Sequence, residues 1–135
     1  MGAKKPAKRS KQAPTISLLV EVTPGFSREV RKWLSEAEFK RLRQEAAQFR
    51  ELGSVIPGTG GLRKLRWGLE NNKGKSGGAR VIYFYDGDHI PIYLIAFYGK
   101  SGQGDLSPSE KKAAKKFVQA VKLEYQGKKP RLKVV

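Results

Sequence analysis

Three apolar, β-branched or aromatic runs lie so close together in this chain that only one arrangement of them is available. They are Leu62–Gly68 (LRKLRWG), Ala79–Tyr85 (ARVIYFY) and Ile90–Tyr98 (IPIYLIAFY). Each has the composition of a strand. The first two are joined by residues 69–78, and the last two by Asp86-Gly87-Asp88, a hairpin-turn signal. Parallel neighbours need a crossover of a dozen or more residues, usually a helix. These links are too short, so the three strands must form an antiparallel meander. Pro91 stands near the start of its strand, where a proline is tolerated.

The remaining elements fit around that meander. Ile16–Val22 reads as a first strand, ended by Thr23-Pro24-Gly25. A short helix is expected over Ser27–Trp33. A longer one begins at Ser35, whose spacing to Glu38 makes a capping box. Phe39, Leu42, Ala46 and Phe49 recur along it at helical period, and it ends near Leu52 and Gly53. The Gly- and Pro-rich stretch 53–61 reads as a loop. Ser107-Pro108-Ser109-Glu110 is a second capping box, with proline at the first helical position. Ala114, Phe117, Val118 and Val121 give the last helix its apolar stripe, which ends near Tyr125. The order β-α-α-β-β-β-α predicts an α+β domain: an antiparallel sheet with helices on one face and the other face open to solvent.

Charge narrows the choice of partner. With 28 Lys+Arg against 12 Asp+Glu, the 135 residues carry a formal +16. Residues 1–14 contribute +5 and read as a disordered basic tail, either a solvated charge run or an arm for nucleic acid. Lys128, Lys129, Arg131 and Lys133 put +4 into a basic C-terminal tail, 127–135, which leaves +7 for a single domain over 15–126. Such a balance suits nucleic acid, an anionic membrane surface or an acidic protein. The chain has no cysteine and one histidine, a composition that argues against a structural zinc site. No run approaches the length of a membrane span and no signal-peptide pattern is present, so a soluble cytoplasmic protein is expected.

Several motifs fail on inspection. Gly74-Lys75-Ser76 resembles the end of a phosphate-binding loop, but the required glycine five positions before Gly74 is Leu69, and no helix follows. Gly58, Gly60 and Gly61 precede a strand, which excludes a dinucleotide site of the usual kind. His89 reads as a polar residue beside the turn. Glu36/Glu38 and Asp86/Asp88 are accounted for by helix start and turn chemistry.

Strand alternation brings a basic cluster together. If Leu65 and Trp67 face the helices, Lys64 and Arg66 face the open side, with Arg63 beside its mouth. Burying Val81 and Tyr83 turns Arg80 the same way. Strict parity groups Ile92, Leu94, Ala96 and Tyr98, with Lys100 beyond, and leaves open which face of this strand is outward. Lys73 and Lys75 lie in the basic loop between the first two strands of the meander, as further contacts for RNA. Lys and Arg bind phosphate, and an aromatic ring stacks an unpaired base. A merely basic surface with ordinary strand aromatics accounts for the same pattern.

GTGGLRKLRW (58–67), GGARVIYFY (77–85), IYLIAFYGKS (92–101) and the final helix together resemble the RelE/HigB superfamily of bacterial toxins, HigB-type members above all, over about residues 16–125. The resemblance implies a metal-independent endoribonuclease without cofactor that cuts mRNA, commonly on the ribosome, and inhibits translation. It also implies a cognate antitoxin, often a helix-turn-helix repressor. Matched by position, the catalytic candidates are Lys64, Arg66, Arg80, Tyr98 and Lys100. Arg80 and Arg66 would stabilise the phosphorane, and Tyr98 would stack a base or assist proton transfer. Lys64 or Lys100 would be the base, a role open to an amine when neighbouring cations favour its neutral form. The rival readings are a non-catalytic basic RNA- or ribosome-binding module and, less well supported by any recognition-helix pattern, a DNA-binding regulator.

Overall fold

The computed structural model describes residues 16–68, 78–99, 106–127 and 132–134. In chain order the elements are β1 (Ile16–Leu18), β2 (Val20–Val22), α1 (Pro24–Val30), α2 (Glu36–Phe49), β3 (Ser54–Val55), β4 (Leu62–Trp67), β5 (Ala79–Phe84), β6 (Ile92–Tyr98), α3 (Pro108–Tyr125) and β7 (Leu132–Val134). The main sheet has the order β2-β6-β5-β4-β3. β4, β5 and β6 are antiparallel neighbours, as their short connections require. β2 adds to β6 in parallel, with Val20 opposite Ile92. The chain is α+β, as expected from the order of its elements.

Both long helices start at the expected caps. The Ser35 and Ser107 hydroxyls accept from the backbone N–H of Glu38 and Glu110, and each glutamate accepts in return from the serine N–H. α1 begins earlier than its apolar period suggested. Thr23 caps it, accepting from Phe26 N at 3.3 Å, with Pro24 at the first helical position. The expected strand Ile16–Val22 is divided: β1 leaves the main sheet and pairs with β7, while β2 stays. β7 falls within the segment expected to be a basic tail. β3, inside the expected 53–61 loop, pairs with β4 for two residues.

One correction concerns the layers. α1 and α2 pack on one face, where Phe26, Leu42 and Phe49 meet Val81, Tyr83 and Leu94. α3 lies on the other face, where Val118, Val121 and Tyr125 meet Leu62, Ile82 and Phe84. The helices are therefore not confined to one side. The cause is in β5, whose alternate residues Ile82 and Phe84 are as apolar as Val81 and Tyr83, so both faces require cover.

A second correction concerns β6. Tyr83 pairs with Leu94 and Ile82 pairs with Ala96, so Ile95 is an extra residue. A bulge of this kind reverses parity downstream. Leu94 and Phe97 enter the α1/α2 core, while Tyr93, Ala96 and Tyr98 join the α3 side. Thr23 secures the bulge: its hydroxyl donates to Ile95 O at 3.0 Å and its N–H to Leu94 O at 3.1 Å.

Tyr83 fastens α2 to the sheet. Its buried hydroxyl donates to Phe49 O and accepts from Gly53 N, both at 2.9 Å. A Cβ at Gly53 would stand 2.7 Å from that oxygen, so glycine is required there by close approach. Tyr83→Phe leaves two buried backbone groups without this partner and is expected to destabilise the fold by about 1–3 kcal/mol. Urea denaturation followed by circular dichroism measures it. An unchanged midpoint would mean that these groups find other partners.

Candidate nucleic-acid interface

Among the described residues, α3 covers one end of its side of the sheet and leaves the other uncovered. Trp67, Ala79 and Val81 are buried toward α1 and α2, so Arg66 and Arg80 point away from that core. Arg66 pairs with Arg80 across β4 and β5, and Arg80 pairs with Tyr98 across β5 and β6. The three make a row perpendicular to the strands. Lys64, paired with Ile82, lies in the next row on the same face. Arg66 is exposed; Lys64, Arg80 and Tyr98 are half-buried.

The supports of this row are specific. Arg80 Nη1 donates to Gly78 O at 3.3 Å. A Cβ at Gly78 would come within 2.9 Å of Arg66 Cγ, so the bare backbone leaves room for the arginine stem. At the end of β6, Gly99 is buried against the indole of Trp33, and any side chain there would collide with the ring. Trp33 is held in turn by Glu29, to which its Nε1 donates at 3.3 Å.

Tyr98 differs electrostatically from its two arginine neighbours. Burial raises its pKa above the ordinary tyrosine value, and the Glu110 carboxylate at the start of α3 raises it further. At neutral pH it is a phenol with a proton to donate.

Not every residue expected in the site is in the row. Arg63 is placed on the opposite face. Its Nη1 donates to Gly53 O at 2.9 Å and Glu51 O at 3.2 Å, which ties down the turn after α2. That corrects its expected position at the mouth of the cluster. Lys73, Lys75 and Lys100 lie outside the described residues, as does the N-terminal tail. Glu110 was missed as a neighbour of the site, because its capping role fully accounts for its place in the sequence. Among the described residues no three His, Cys, Asp or Glu side chains converge as metal ligands, and no helix is long and apolar enough to cross a membrane.

No family model matches the chain. Among solved structures, the isolated E. coli RelE toxin is similar over 75% of this chain and 99% of that one, with 17% sequence identity and a TM-score of 0.39. At that level of likeness, function has to be read from the side chains themselves.

The raised pKa of Tyr98 has a definite sign. The folded state favours the neutral phenol, so its contribution to stability is present below the unfolded tyrosine pKa and is lost as pH rises through the folded value. The difference between wild type and Tyr98→Phe in an ultraviolet phenolate titration should show one group ionising above the ordinary range. Glu110→Gln should lower it, because one of the two upward causes is removed. A Tyr98 component at the ordinary value in both proteins would show that the phenol is solvated.

Proposed function

We propose that this chain is a toxin-type endoribonuclease of the RelE/HigB kind, which cuts mRNA on the ribosome in the cytoplasm and is silenced by a cognate antitoxin. The observation that carries this reading is the row Arg66, Arg80, Tyr98, with Lys64 beside it. The sequence blocks around these residues, which resemble that superfamily, support it independently.

In the proposed reaction the ribose 2′-oxygen attacks the adjacent phosphorus. A new P–O2′ bond forms, the P–O5′ bond breaks, and the products are a 2′,3′-cyclic phosphate and a 5′-hydroxyl. Lys64 takes the 2′-hydroxyl proton, and the Tyr98 phenol supplies one to the departing 5′-oxygen. Arg66 and Arg80 hold the non-bridging oxygens, whose charge grows in the transition state. An arginine presents two donors in a fixed fork, which a lysine does not reproduce. The ribosome contributes by aligning the mRNA backbone, and orientation is a large share of any such rate. An acidic or amphipathic antitoxin segment is the partner that this cationic surface fits.

Arg80→Ala should lower cleavage by roughly 10²–10³-fold, the usual effect of removing one preorganised donor. Its thermal unfolding should stay close to wild type, because the side chain is half-exposed at a strand end. Arg80→Lys should rescue in part. The assay is mapping of RNA 5′ ends after brief induction, with unfolding measured on the same proteins. Cleavage by the alanine variant at the wild-type rate would remove Arg80 from the site. RNA binding without cleavage by the wild type would make the chain a binding module.

A further inference from the structure

Between the uncovered row and α3 lies a cavity of about 310 Å³, at the small end of the range for ligand sites. Ile95, Ala96 and Phe117 are among its apolar walls, and Thr23, Tyr98 and Glu110 are its polar ones. Two of these polar groups are already directed by the fold. Thr23 Oγ1 donates to the bulge carbonyl of Ile95 and accepts from Phe26 N. Glu110 Oε1 accepts from Ser107 N at 2.7 Å, which fixes the carboxylate at the cavity wall. Tyr98 belongs to both places: it ends the arginine row and it lines the cavity.

That shared residue defines the occupant. Arg66 and Arg80 suit a phosphate on one side of Tyr98, and a mostly apolar space with one carboxylate opens on the other. We infer that the cavity takes an unpaired nucleobase whose own phosphate lies on the arginine row, and that Glu110 selects guanine. This rests on the proposed RNA-cutting role of the row, and it adds base specificity to it. The chemistry of selection is simple. A carboxylate only accepts hydrogen bonds, with about four acceptor positions on its two oxygens. The Watson–Crick edge of guanine presents two adjacent donors, N1–H and N2–H₂. Adenine and cytosine each present one amino group beside an acceptor nitrogen, which a carboxylate repels, and uracil presents one N–H between two carbonyls. Phe117 and the apolar walls bury the faces of the ring, as aromatic surfaces do for any base.

The test is binding of the four nucleoside 3′-monophosphates to the full chain, by calorimetry and by ¹H–¹³C methyl spectra. Guanosine 3′-monophosphate should bind about ten- to a hundredfold more tightly than the other three, the usual discrimination of a bidentate contact to a base edge. It should also shift the Ala96 and Ala113 methyls by ring current. Glu110→Gln keeps a capping-box residue at the helix start, so α3 persists, and should bring the four affinities close together. Ala113→Phe, which fills the cavity from α3, should abolish the preference. Arg80→Ala should weaken all four nucleotides alike and leave their ratio unchanged. Equal affinities in the wild type, or no methyl shift in the wild-type protein, would overturn the cavity assignment whatever the variants do. A guanine preference untouched by Glu110→Gln would overturn the role of the carboxylate. A preference that survives with Arg80→Ala having no effect on any nucleotide would keep the pocket and refute the row, so the two readings fail separately.

Discussion

The burial of β5 on both faces is the constraint on which the molecule depends. Val81 and Tyr83 close the core under α1 and α2, while Ile82 and Phe84 close the core under α3. Full burial of such a side chain contributes about 1.5–3 kcal/mol, so one short strand supports two cores at once. Tyr83 adds the hydrogen bonds that anchor the end of α2 to this strand. Arg80 is the exception in β5, and it stands near the end where α3 no longer covers the sheet. The basic row is positioned by where the second core stops.

That position has an energetic signature. Arg66 and Arg80 are directly opposed on antiparallel strands, and like charges in this relation repel. In the proposed function, a phosphate between the two guanidiniums would turn that repulsion into attraction. Departures from local rules of this kind are where function is expected to sit.

The parts legible in the sequence were those decided by short-range chemistry. The meander followed from link lengths, and the two long helices from their serine–glutamate boxes. Alternation placed Lys64, Arg66 and Arg80 on one face because Leu65, Trp67, Val81 and Tyr83 are unambiguous partners for a core. The same rule puts Arg63 with Leu65 and Trp67, and there the structure has it, on backbone carbonyls. What could not be read depends on distant contacts. β3 and β7 are too short to show a period. The side taken by α3 is invisible in its own stripe, and so is the meeting of Glu110 with Tyr98. The parity of β6 is set by an extra residue whose carbonyl is met by Thr23, more than seventy positions earlier.

Ile95 makes β6 two half-strands with opposite facing, joined end to end. Draw Ile95 into the regular ladder instead and the alternation runs unbroken: Tyr98 would turn into the helical core, and Phe97 would come to the end of the arginine row. The difference between a phenol presented to the surface and a phenyl ring in its place is thus a one-residue slip of register, set by whether Ile95 is bulged out. No substitution at position 97 or 98 is needed to make that exchange. A strand of this kind exchanges the phenol for the phenyl ring by keeping or losing its bulge, a step that turns every later side chain of the strand together.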